Sequence, residues 1–138
     1  MPFSEGIDNT ILDHFFGKAT WAATANNRYT GLSSTTPTKT GGNVTEPSTG
    51  SYARVQLIAT QMAAAATSAT SNNADQTFPQ ATADWLGGAN LTNMVMFDAA
   101  TVGTFLAFKS LTVAKPVLNG DTAKFASGDM DFTIAGAA

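Results

Sequence analysis

A chain of 138 residues with a net charge of −3 and a pI near 4.7 fits one domain, long enough to bury about two-thirds of its unfolded surface. Two arginines and five scattered lysines make no basic patch for a phosphate backbone, so nucleic acid is excluded as a partner. The absence of cysteine removes disulfides, thiolate catalysis and Cys-ligated metals, and no apolar run approaches the ~18 residues of a membrane span.

Alanine supplies 24 residues and threonine 21, while charged residues make up only 12% of the chain, against a usual ~25%. Alanine buries little surface, so the core is expected to be thin and spread along strands. Abundant Thr with few Glu and Lys favours short strands and turns over surface helices. The first ten residues, MPFSEGIDNT, have neither a basic nor an apolar signal region, so a secretory leader is not expected and folding in a cytosol is the default.

Ser4 to Phe16 carries the one helical pattern. Ile7, Ile11, Leu12, Phe15 and Phe16 form a single apolar stripe, Ser4 suits the N-cap, Glu5 and Asp8 suit the first turn, and Gly17 suits the end. Such a terminal helix packs on its own domain or partly on a neighbouring subunit. Arg28 to Ser33 reads as a strand, with Gly31 marking a bulge or a close backbone approach. Ser34 to Gly50 is rich in turn formers, and Ser51 to Thr60 reads as a strand. Met62 to Asp75 (MAAAATSATSNNAD) reads as an irregular surface segment with one helical turn, and Gln76 to Pro79 as a short strand stopped by proline.

Asn90 to Asp98 and Val102 to Ser110 pair as a hairpin across the tip Ala99-Ala100-Thr101, offering Met94, Met96, Phe105 and Phe108 to the core. Leu111 to Leu118 continues as a strand with Pro116 at an edge or end, and Asn119-Gly120-Asp121 is a turn. Lys124 to Gly128 leads to a last strand, Met130 to Ala135, in which Met130, Phe132 and Ile134 alternate with Asp131 and Thr133. The organisation is one domain, 1–138: a helix over 4–17 and an all-β, jelly-roll-like antiparallel sandwich over 28–135.

Chemistry is sparse. His14 lies on the helix without an H-x-x-x-H partner, so it reads as a surface or interface residue and not as a ligand. Asp129 and Asp131 share one face of the last strand, solvent-facing or a Ca²⁺ site, but no D-x-D-x-D-G loop exists. Gly41-Gly42 and Gly87-Gly88 are not phosphate cradles, and no G-x-S-x-G elbow occurs. Trp21, Trp85, Tyr29 and Tyr52 fit core or interface packing, or else a sugar-binding row. No enzyme activity, cofactor or metal site is expected.

Several stretches in order, EGIDNTILDHFFGK, YTGLSSTTPT, GGNVTEPSTGSYARV, FPQATADW, MFDAATVGTFLAFKSLT and NGDTAKFASGDMDFTI, span nearly the whole chain. Together they resemble a family of small tailed-phage virion proteins of the tail-fibre-like kind, with Val102 where a second small residue is expected. The resemblance implies a structural virion protein. The small size and sandwich fold extend that to a capsid cement (decoration) protein, a homotrimer clamping neighbouring capsomers with the phage's major capsid protein as partner, and neither nucleic acid nor membrane. It would be assembled in the host cytoplasm and located in the virion. The alternative is a tail-tip, baseplate or fibre-associated component, one that binds a host glycan included.

The expected contact residues are Ile7, Ile11 and Phe15 on the helix and Glu46, Pro47, Tyr52 and Arg54 in the segment Gly41 to Val55. Glu46-Pro47 favours extended geometry, and Tyr52 and Arg54 share one face of the following strand. Facing outward, they anchor a neighbouring subunit. Facing inward, Tyr52 packs on its own sheet and Arg54 pairs a nearby carboxylate such as Glu46.

Overall fold

The computed structural model describes residues 2–19 and 28–134. Helix α1 (Glu5–Phe15) starts where the Ser4 hydroxyl accepts a hydrogen bond from Ile7 N at 3.4 Å, satisfying one orphan donor of the first turn. It ends where Gly17 enters the left-handed region (φ 68°) and its N–H bonds to His14 O at 3.1 Å. The helix docks mainly by its first turns. Glu5 N donates to Lys39 O (3.1 Å), Asp8 pairs with Lys39 (2.7 Å), and Ile7 packs beside Phe3 on the core. Leu12, Phe15 and Phe16 remain exposed.

The fold is all-β with this one short helix, and its ladders are antiparallel. A four-stranded sheet has the order β2 (Val55–Gln56), β1 (Tyr29–Ser33), β5 (Leu91–Phe97), β6 (Phe105–Lys115). Two short ladders accompany it: β3 (Ala69–Ser71) with β8 (Asp131–Thr133), and β4 (Gln76–Thr77) with β7 (Lys124–Phe125).

Strand β5 is covered on both faces. Met94 and Met96 pack with Leu57, Leu106, Met130 and Phe132, whereas Val95 and Phe97 pack with Phe105. Leu91 joins a third cluster with Leu32, Phe78, Trp85 and Val117. A strand enclosed this way reads as a continuous apolar run and not as an alternation.

Four expectations change. Within Ser51 to Thr60 only Val55–Gln56 is strand; Ser51 has φ 63°, and Ala59–Gln61 turns into a short 3-10 helix. Met62 to Asp75 is no irregular segment but a small hairpin, bridged at Met62–Asn72 and Ala66–Ala69, with Thr67 and Ser68 both at positive φ (50° and 63°). That is the twist a two-residue hairpin turn demands, and pairing with β8 overrides the helical preference of the alanine run. Leu111 to Lys115 belongs to β6, which stops before Pro116. In the last strand, Met130 and Phe132 are buried as expected, but Ile134 lies beyond β8 and is exposed; Ala135 falls outside the described residues. The expected turn at Asn119 to Asp121 is present, with Gly120 at φ 91° and Asp121 N bonded to Leu118 O at 2.9 Å.

Candidate functional site

The segment from Ser34 to Gly50 is an ordered loop, because its threonines and asparagine bond the backbone in place of a ladder. The Thr35 hydroxyl donates to Asn43 O (2.6 Å), Asn43 Nδ2 to Thr36 O (2.8 Å), and Gly42 N to Thr38 Oγ1 (2.9 Å). Thr45 returns to the sheet, donating from its N to Ser33 Oγ (3.0 Å) and accepting at its O from Ser34 N (3.0 Å). This return delivers Glu46 and the buried Pro47 onto the sheet face carrying Gly31, Val95 and Phe97.

There Glu46, Tyr52 and Arg54 form one network. Tyr52 Oη donates to Glu46 Oε1 at 2.6 Å and accepts from Leu32 N at 2.9 Å. The second bond matters because β2 pairs with β1 only at Tyr29 and Thr30; the phenol thus supplies the partner that the edge of β1 lacks at Leu32. Arg54 Nε donates to both Glu46 oxygens (3.0 and 3.2 Å), and its Nη1 donates to Ala99 O (3.0 Å) and Val102 O (2.7 Å). Its guanidinium also lies over the Phe97 ring, 3.5 Å from the centroid. The Arg54 and Glu46 side chains are 9% and 16% exposed.

Burial, then the negative charge of Glu46 and the hydrogen bond to it, hold the Tyr52 hydroxyl far above the usual tyrosine range. The inward alternative for Tyr52 and Arg54 is therefore the geometry adopted.

The far end of the network is the β5–β6 tip. Asp98 closes it, its Oδ1 accepting from Thr104 N at 2.6 Å while its own N donates to Thr104 O at 3.1 Å. Val102, 86% exposed, sits at φ 56°, a strained state for a β-branched residue. The two carbonyls that Arg54 holds belong to this tip.

The other side of Tyr52 faces aromatic core. Trp85 meets it edge-on with centroids 5.0 Å apart, Phe78 stacks on it at 6.2 Å, and Trp85 Nε1 donates to Gly50 O at 2.9 Å. Trp85 is fully buried, so it packs the core and presents no face to a sugar. Trp21 lies outside the described residues.

The seven expected contact residues fall in two places. Ile7 is half-buried against the core, Ile11 is half-buried, and Phe15 is exposed on the helix. Glu46, Pro47, Tyr52 and Arg54 lie together on the sheet and share their bonds within the chain. Asp129 and Asp131 are both exposed but separately engaged: Asp129 accepts from Ala126 N (2.9 Å), and Asp131 pairs with Lys109. Among the described residues no cluster of three His, Asp or Glu side chains suits a metal ion. Sequence reasoning missed Phe97 and the tip carbonyls as partners of Arg54. The signal that was present is Gly31, whose close approach is to Glu46 and Tyr52.

Residues 2–133 match the model of a family described as Podophage GP4 fiber I protein gp80. No curated protein matches the chain.

Proposed function

We propose, on the premise that this chain belongs to the podophage GP4 fiber I protein gp80 family, that it is an oligomeric structural module of the phage's fibre apparatus. Membership makes it a structural component of a phage virion; fibre association and a trimeric state are the finer reading. The observation that carries it is the family match along residues 2–133, a span that takes in the whole described sheet and α1. The role is mechanical. The loop and tip are tied to the sheet by the Arg54–Glu46 pair, which favours holding a fixed shape under load, and α1 leaves an apolar surface free for assembly.

A second reading, a capsid cement protein whose trimers clamp neighbouring capsomers against the major capsid protein, is favoured by one observation: the described chain is a small all-β unit with no shaft repeat. Copy number separates the two. Densitometry of purified particles is expected to give a handful to tens of copies for a fibre component, and hundreds would overturn that in favour of cement. Absence from the particle would sink both.

A further inference from the structure

Strand β6 is covered along only part of its outer edge. At its start the N-terminal segment runs beside it: Ser4 N donates to Leu106 O (2.7 Å), Phe3 bridges Ala107, and Phe108 N donates to Pro2 O (3.3 Å). Beyond Phe108 that cover ends. On the inner side Asn93 faces Ser110 but Leu91 faces Lys115, so residues 111–114 keep strand conformation with only Thr92 opposite them. Their backbone groups take no other backbone partner among the described residues. They border a groove of about 630 Å³, lined by residues 109–113 on one strand, by 121–125 on another, and by the buried Leu32, Leu91 and Met94. Side chains of a strand alternate between its two faces, so a run of consecutive residues lines one groove only by presenting the strand's edge. The segment 121–125 does the same. Phe78 N donates to Ala123 O (2.9 Å) and Thr77 faces Lys124, so the backbone groups of Thr122 and Lys124 turn away from β4. They too have no backbone partner among the described residues.

We infer that this groove takes an extended, largely uncharged peptide segment of another protein, which adds as a β-strand between β6 and β7 and sets one carboxylate on Lys115. Two strand edges with unmet N–H and C=O groups call for a ligand that carries both along its length, and an extended backbone does so. About five residues, roughly 16 Å of strand, match each wall. The charges fix the rest of the chemistry. Lys109 is paired with Asp131 and Lys124 with Asp75. Asp121 accepts from Leu118 N (3.0 Å) and Asp129 from Ala126 N (2.9 Å). Lys115 alone lines the groove as a charge with no side-chain partner among the described residues, so one carboxylate complements it. A second β6 is the wrong occupant: antiparallel pairing centred on Thr112 sets Lys109 against Lys115, like charges directly opposite each other. The inference does not rest on the virion reading above.

Hydrogen exchange of the purified chain tests this. The amides of Thr112, Val113, Thr122 and Lys124 are expected to exchange freely. A short acetylated peptide of alternating threonine and valine, ending in a free carboxylate, should slow them at least ten-fold. The same peptide N-methylated at alternate residues keeps its side chains but loses backbone donors, and should protect none of them. Thr112→Pro removes a donor that has no backbone partner in the free chain, so melting should match the parent while peptide affinity falls at least ten-fold. Lys115→Glu should weaken the carboxylate-ended peptide several-fold and leave its amide-ended counterpart unchanged. Amides already protected in the free chain, no protection by the peptide, or equal binding of the N-methylated form would each overturn the inference. Protection by a neutral oligosaccharide and not by the peptide would overturn it in favour of a glycan site. If Thr112→Pro does not fold, the comparison of the two peptides on the parent chain decides. Copy number in particles is a separate readout, so failure of the virion role leaves this result standing.

Discussion

A β-carbon built on Gly31 would lie 2.4 Å from Glu46 Oε1. The carboxylate of the loop occupies the space where a side chain of β1 would project, and the Tyr52 hydroxyl (2.8 Å) and Val95 Cγ2 (3.1 Å) close in from the other sides. The glycine is therefore the socket of the network. Gly31→Ala should destabilise the fold by about 1–3 kcal/mol, the scale of overpacking, read as a lower urea midpoint at unchanged slope. An unchanged midpoint would mean that Glu46 does not hold this position.

The Glu46–Arg54 pair is nearly shielded from water. Removing one partner strands the other, so Glu46→Ala should cost about 3–5 kcal/mol. Arg54→Met loses the tip carbonyls and the Phe97 contact as well, and leaves a carboxylate that still accepts from Tyr52; it should cost a comparable amount. The double variant should cost less than the sum, with a coupling of about 1–3 kcal/mol. Strict additivity in a denaturation cycle would contradict the pairing.

Tyr52→Phe removes a donor to Glu46 and the acceptor of Leu32 N–H, for about 1–3 kcal/mol at neutral pH. Its pH signature is distinct. The folded-state pKa is raised above the unfolded value of 10.0, so the folded chain binds the proton more tightly. The stabilisation is complete below pH 10 and declines as pH rises further. Thermal melting of the parent chain should fall above pH 10, and that of Tyr52→Phe should fall less steeply. Parallel alkaline limbs would place the ionisation elsewhere.

Val102 holds a left-handed backbone conformation at φ 56° while its side chain faces solvent. Glycine removes the Cβ penalty and keeps the carbonyl that Arg54 Nη1 binds. Val102→Gly should gain about 0.5–1 kcal/mol after the entropy cost of glycine. A loss of stability would show that the valine side chain contributes contacts of its own.

Local chemistry made some of this legible in advance. The capped helix, the β5–β6 hairpin, the Asn119–Asp121 turn and the all-β class follow from periodicity and turn residues, which act over a few positions and need no partner. Gly31 announced a close approach without saying to what. The hairpin at Met62 to Asn72 was hidden, because the alanine run points to helix and only pairing with residues about 60 positions away makes β3 a strand.

The sequence by itself determined where the helix, the β5–β6 hairpin and the Asn119–Asp121 turn fall, that charge and cysteine are scarce, and that Tyr52 and Arg54 share a side. Tertiary structure alone decided which side was covered. Arg54 reaches carbonyls 45 and 48 positions away, β5 is enclosed on both faces, and α1 keeps Phe15 and Phe16 in solvent. A one-dimensional pattern records which residues face the same way; which of those faces meets another element depends on contacts between distant parts of the chain.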